Sequence, residues 1–242
     1  MPVSDLANPH RFLRFARWGV PLFALLAIAL IALGLTLGFL APPERDQGES
    51  VKIIFLHVPS AWLSMGIFAF MAIAALGTLV WRHPLADVAQ KAAAPIGAAF
   101  CVVCLVSGAL WGRPAWGTYW QWDGRLTSVL VLLLIYLGII ALWRAFEEPG
   151  LAARAVSVLT LAGSINLPII KFSVDWWSTL HQPASVLRFG GPTIHPAFLT
   201  PLLVSALGFA FLFGALLMAA MRNEILRRRV RTLRILAASG AQ

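Results

Sequence analysis

The stretch Trp111-Gly112-Arg113-Pro114-Ala115-Trp116-Gly117-Thr118-Tyr119-Trp120-Gln121-Trp122-Asp123-Gly124-Arg125 holds four of the chain's ten tryptophans and one of its two tyrosines. Apolar runs at 92–111 and 126–143 lie on either side of it. Each is close to the ~20 residues that carry a helix across roughly 30 Å of hydrocarbon. The stretch therefore reads as a loop joining two membrane helices. Flat aromatic faces gathered at a membrane surface form a shelf for a large, planar, mostly apolar ligand. The plain alternative is the aromatic belt, because Trp and Tyr favour the headgroup region of any membrane protein. For any one of these tryptophans the belt is the better reading. Gly112, Pro114 and Gly117 work against a simple continuation of the helix, and four tryptophans in a loop broken this way point towards a site.

The surrounding chain has 242 residues, 60% hydrophobic and only 12% charged, with mean hydropathy +0.81. A soluble domain averages about 25% charged residues. This is the composition of an all-α integral membrane protein, organised as one membrane domain. Six stretches are long and apolar enough to span: about 19–41, 58–80, 92–111, 126–143, 152–170 and 197–221. Arg11, Arg14 and Arg17 precede the first in the manner of a signal peptide. Its apolar run is too long for a signal h-region and no clear A-x-A-like site follows, so a permanent anchor is expected. Residues 1–18 read as a basic arm on the inner surface and 222–242 as a basic inner tail. With the N-terminus inside, the inner segments carry thirteen Lys and Arg and the outer segments six. That bias puts both termini in the cytoplasm. The tryptophan loop 112–125 and a second loop at 172–196 then face outward, the periplasm in a Gram-negative host. The net charge of +9 is explained by this inner excess without any nucleic-acid partner.

In chain order, Gly34-Leu35-Thr36-Leu37-Gly38 is a small-xxx-small pattern that allows close helix approach. His57, in Leu56-His57-Val58-Pro59, sits at the outer mouth of the second span, just before a proline suited to a helix start. Alone it reads best as an interfacial histidine bonded to backbone; the sharper reading is an axial ligand, since neutral imidazole commonly binds metals. Cys101-Val102-Val103-Cys104 has redox spacing but lies inside an apolar helix, so buried thiols are the better reading. Asp123 is placed to cap the next helix, and Arg125 suits a carboxylate-bearing ligand through paired hydrogen bonds. Asn166 and Pro168 suggest an irregular outer turn in span five whose freed backbone groups need partners. Ser173 to Gln182 reads as two or three turns of amphipathic interfacial helix, with Trp177 and His181 on one face. His195 reads as a loop residue.

The outer face thus gathers His57, His181, the Trp116–Trp120–Trp122 shelf, Trp176, Trp177 and Arg125. Two imidazoles can ligate an octahedral iron from both sides, aromatic faces can stack on a porphyrin, and an arginine can meet a propionate. Haem satisfies all of these features together. The chain has no G-x-x-x-x-G-K-[ST] run for ATP hydrolysis, and no catalytic Ser–His–Asp or metal-hydrolase arrangement, so an enzyme is not expected. Few charged residues fall inside the spans, which argues against an ion-coupled transporter.

The segment Trp111 to Thr127 resembles the "WWD" signature of membrane haem-handling proteins. With Leu56-His57-Val58-Pro59, Asn166-Leu167-Pro168-Ile169-Ile170 and Val174-Asp175-Trp176-Trp177-Ser178-Thr179-Leu180-His181-Gln182, nearly the whole chain is similar to the haem exporter protein C family of system I cytochrome c maturation. Gly124 stands where Ala or Pro is expected and Tyr119 where Trp is frequent; both keep the aromatic shelf. The resemblance implies six spans in a bacterial inner membrane and a transient, non-covalent b-type haem at the periplasmic face. It implies axial ligands at His57 and His181, with Asp123 part of the binding motif, and no family ligand at His195. The implied partners are the ATPase and membrane subunits of an ABC transporter, a small single-span subunit and a periplasmic haem chaperone. Two other readings stay open. A haem-bearing electron-transfer subunit would usually place its histidines at mid-span, which this chain does not. A permease moving haem across the membrane would want a polar or small-residue path, and only scattered Gly, Ser and Asn are present.

Overall fold

The structure, a computed structural model, describes residues 8–177 and 179–239. Among them are seven α-helices: α1 (Pro9–Leu40), α2 (Ile54–Leu79), α3 (Ala86–Trp116), α4 (Gly124–Ala145), α5 (Pro149–Gly163), α6 (Asn166–Trp176) and α7 (Pro196–Ser239). A 3-10 turn, Glu49–Ile53, leads into α2. The α5–α6 pair counts as one span, so the described residues contain six helices long and apolar enough to cross a membrane.

Several helices run past their apolar stretches. Asn8 caps α1 by accepting from the His10 N–H, and Pro9 opens it, so the expected basic arm is helical from residue 9; residues 1–7 lie outside the described residues. At the other end α7 is 44 residues long, about 66 Å at 1.5 Å per residue, or twice the hydrocarbon thickness. Its basic end therefore continues as helix up to Ser239, and 240–242 lie outside the described residues.

In lipid, helices associate mainly through close packing and polar contacts, and here glycines supply the approach. A Cβ on Gly34 would lie 2.9 Å from Ser205 Cα, and one on Gly208 would lie 2.7 Å from the Ile31 nitrogen. These two positions, with Gly19 against Met218 and Gly214 against Phe23, seat α1 along α7. Gly38, the second glycine of the small-xxx-small pattern, instead faces the Phe55 ring of α2. The outward side of α1 presents Leu22, Leu25, Ile28 and Leu33 to the surroundings, as a lipid-facing helix should.

The main core joins α2, α3, α4 and α5 around Tyr136, whose side chain is fully buried. Its hydroxyl donates to the Ser64 carbonyl at 2.8 Å, its ring meets Phe68 edge-on at 5.1 Å, and Gly97 makes room for it. Span five breaks between α5 and α6, at Ser164–Ile165, rather than at its outer end. Just past the break, Asn166 Nδ2 donates to the Ser128 carbonyl of α4 at 2.8 Å.

Candidate ligand-binding site

His57 lies in the first turn of α2, with its ring against the bare backbone of Gly108 on α3. Its Nδ1 is 3.1 Å from the Cys104 carbonyl and 3.0 Å from Ser107 Oγ. A carbonyl can only accept, and the Ser107 hydroxyl itself donates to the Val103 carbonyl at 2.6 Å. Nδ1 must therefore carry the hydrogen, which leaves Nε2 with a free lone pair.

His181 reaches the same state by a different route. Asp123 caps α4, its Oδ1 accepting from the Leu126 N–H at 2.7 Å. Its Oδ2 accepts from Thr179 Oγ1 at 2.5 Å and faces His181 Nδ1 at 3.1 Å. Burial works to raise the Asp123 carboxyl, but hydrogen bonds from Thr179, Leu126 and His181 prevail and hold it below its ordinary value. The carboxylate accepts, so His181 Nδ1 donates and its Nε2 is also free. Burial keeps the His181 ring below the usual imidazole range against the pull of Asp123, which favours the neutral form that binds metals.

These bonds accompany the early end of the expected helix over Ser173–Gln182, which is formed only as far as Trp176. α6 ends at Trp176 and Trp177 is extended, with φ −131° and ψ 153°. Thr179 and His181 both turn to Asp123, and the His181 N–H bonds Thr179 Oγ1 at 3.1 Å; a continued helix could not bring both there. Trp177 and His181 consequently share no helical face, and Ser178 lies outside the described residues. The tryptophan loop is also shorter than expected. α3 runs through Gly112 and Pro114 to Trp116 and stops at Gly117, whose φ of 78° is the left-handed conformation glycine adopts freely.

Both histidines line one cavity of about 1020 Å³ at one end of the bundle, the large end of the roughly 300–1,000 Å³ typical of small-molecule sites. Its walls come from residues 42–54, the facing ends of α2, α3, α4, α6 and α7, and the segment 181–195. Of the expected residues, His57, His181, Trp116, Trp120 and Arg125 line it. Trp116 meets His181 edge-on at 5.0 Å and Trp111 at 5.0 Å. Asp123 stands behind His181 and is absent from the lining. Trp122, Trp176 and Trp177 lie outside, 76%, 57% and 51% exposed; Trp122 reaches the site only by packing edge-on against Trp120 at 5.4 Å. Trp111, the first residue of the tryptophan stretch, lines the cavity as well, and Trp62, Arg45, Lys171 and Arg188 join the wall without having been singled out. Trp62 lies five residues after His57 in the chain, the one signal that could have found it.

His195 lines the cavity too, but its Nδ1 accepts from the Ala197 N–H at 3.2 Å. In neutral form its hydrogen must then sit on Nε2, which has no lone pair to offer a metal. Two lining residues also carry a buried donor without a partner, Trp120 Nε1 and Arg125 Nε. An unsatisfied buried donor is costly, and an acceptor on a ligand would relieve it. The cavity thus suits a large apolar ligand that bears a metal and carboxylates.

Comparison with known proteins places the chain in a family. The family model described as "Heme exporter protein C" matches residues 2–236. A heme exporter protein C from Bradyrhizobium diazoefficiens is 63% identical over 239 residues, 99% of this chain and 91% of the relative. The Escherichia coli K12 protein of that name is 48% identical over 225 residues, 93% and 91% of the two chains. That of Paracoccus denitrificans is 43% identical over 234 residues, 96% and 97%. The chain belongs to the heme exporter protein C family.

Proposed function

We propose that this chain binds haem in the cavity at the outer ends of its helices and passes it on for cytochrome c maturation. The observation that carries the reading is the paired state of His57 and His181: both rings line one cavity, and each has its Nδ1 hydrogen engaged and its Nε2 free. Two such imidazoles are the donors a haem iron takes on its two axial positions. Trp116 and Trp120 supply apolar faces for the macrocycle, and the unpartnered Arg125 Nε and Trp120 Nε1 would meet its carboxylates. Haem is cargo here, and the chain's residues hold, orient and release it without turnover chemistry.

The cavity faces the side opposite the thirteen inner Lys and Arg, which supports a periplasmic site in an inner membrane with both termini cytoplasmic. The relatives' names support a place in an exporter assembly. Within it the proposed partners are an ABC ATPase and its membrane subunit, a single-span accessory subunit, and a periplasmic chaperone that takes the haem.

The test is the absorption spectrum of the purified, haem-loaded chain, oxidised and reduced, beside H57A and H181A. A bis-histidine spectrum altered by both substitutions is expected. A parent that takes up no haem, or two variants identical to it, would overturn the reading.

A further inference from the structure

The two histidines are backed by groups of different strength. His57 Nδ1 donates to a carbonyl and a hydroxyl, both neutral, on α3. His181 Nδ1 donates to the Asp123 carboxylate, whose side chain is 92% shielded and is further fixed by Thr179 and the Leu126 N–H. A hydrogen bond to an ionised acceptor is roughly twice as strong as one between neutral groups. It also transfers electron density to the ring, which makes Nε2 the better donor to a metal.

We propose that Asp123 is a positioning residue that acts through His181, fixing its tautomer and making it the stronger of the two iron ligands, with His57 the one that yields first. The inference rests on the haem-binding reading above and goes beyond it. It gives the acidic residue of the tryptophan stretch a role other than contact with the ligand: Asp123 is missing from the cavity wall, while His181, which it holds, forms part of it. It also links ligand strength to the fold, because the same carboxylate caps α4. An unequal pair suits a carrier, since a bound haem can open one coordination site to an incoming acceptor while the other still holds it.

The experiment uses full-length protein in detergent, loaded with ferric haem, and compares D123N, D123S, S107A and H181A. Asparagine keeps the size of Asp123 and a capping oxygen, but its amide hydrogens cannot accept from His181 Nδ1. Serine keeps the helix cap and removes the carboxylate. Both variants should lose haem to an excess of apomyoglobin about 10–100-fold faster than the parent, the usual cost of removing a carboxylate behind a metal-bound histidine. Both should raise the midpoint potential of the haem, because a weaker donor favours the ferrous form, and both should move the spectrum towards that of H181A. S107A should change each readout far less. D123N combined with H181A should be no worse than H181A alone, as required of a residue acting only through His181.

Additive effects in that double variant would overturn the proposal, as would S107A matching D123N, or D123S keeping the parent's potential and spectrum. A parent that binds no haem would instead overturn the function proposed above, so the two failures are distinguishable.

Discussion

Gly108→Ala tests the site without touching any ligand. A methyl on Gly108 would lie 2.9 Å from His57 Cε1, and ordinary contact begins near 3.4 Å. The ring must back away by the difference, yet its Nδ1 is bonded to Cys104 and Ser107 of the same helix face. Retreat therefore costs one of those bonds, about 0.5–1.5 kcal/mol, or forces an off-rotamer ring at about the same cost. The penalty of about 0.5–1.5 kcal/mol corresponds to about 2–12-fold in affinity. Haem titration followed by absorbance should show that loss together with a weakened bis-histidine spectrum. Gly66→Ala is the matched control, because a methyl there meets nothing within 4 Å in the same helix as His57. Replacing an interior helical glycine should leave haem binding unchanged and leave stability equal or about 0.5–1 kcal/mol higher. Parental haem affinity and spectrum in Gly108→Ala would refute the claim that His57 is seated on this glycine.

The remaining predictions concern neighbouring parts of the molecule. Trp116→Ala removes edge-on contacts to Trp111 and His181, each worth about 0.5–1.5 kcal/mol, and should weaken haem binding about 5–150-fold by titration. Trp122→Ala, at an exposed position outside the cavity, should stay within about threefold, a difference below 0.7 kcal/mol. His195→Ala should leave the haem spectrum as it is, since its neutral tautomer presents no lone pair at Nε2. Glu224→Gln acts at the far end. Glu224 is buried and bonds Lys91 at 2.8 Å and Arg228 at 3.0 Å. Breaking a fully buried pair costs about 3–5 kcal/mol; with both cations about one-third exposed, solvent screening reduces this to about 1–2 kcal/mol. A lower thermal midpoint with an unchanged haem spectrum is the expected result.

What was legible in the sequence follows from which signals are local. Six spans are readable because hydrophobic length is a property of consecutive residues. His57 and His181 are readable as candidates because both fall near span ends, close to aromatic residues. The bonds that decide their chemistry join residues 50 apart in one case and 58 in the other, and no periodicity reports such a pairing. The same long-range bond misleads the local reading of Ser173–Gln182, where helical spacing yields to the attraction of Thr179 and His181 for Asp123. Pro114 fails as a helix stop because Gly117, three residues on, supplies the left-handed conformation that ends the helix. Cavity-lining and outward tryptophans cannot be separated by type. The ring that suits a porphyrin also suits a headgroup, and only the path of the backbone puts Trp116 in the cavity wall and Trp122 outside it.

The position of the cavity bears on whether the proposed haem would be received at the cavity's own face or conducted through the chain. Its lining residues on the long helices reach no further than Met65 on α2, Cys104 on α3, Val129 on α4 and Leu202 on α7. Beyond them the bundle is closed by Phe68, Leu132, Tyr136 and Ile139, side chains with essentially no exposure. On the far side, Gln90 Nε2 donates to Thr78 at 2.9 Å and to Ser157 at 3.1 Å. Ion pairs join Asp87, Lys91, Glu224, Arg227 and Arg228. A conduit for a carboxylated macrocycle would have to separate these pairs and open a core packed around Tyr136. A site entered and left from one face requires neither, so the architecture supports loading and release at the cavity's own face over passage through the helices.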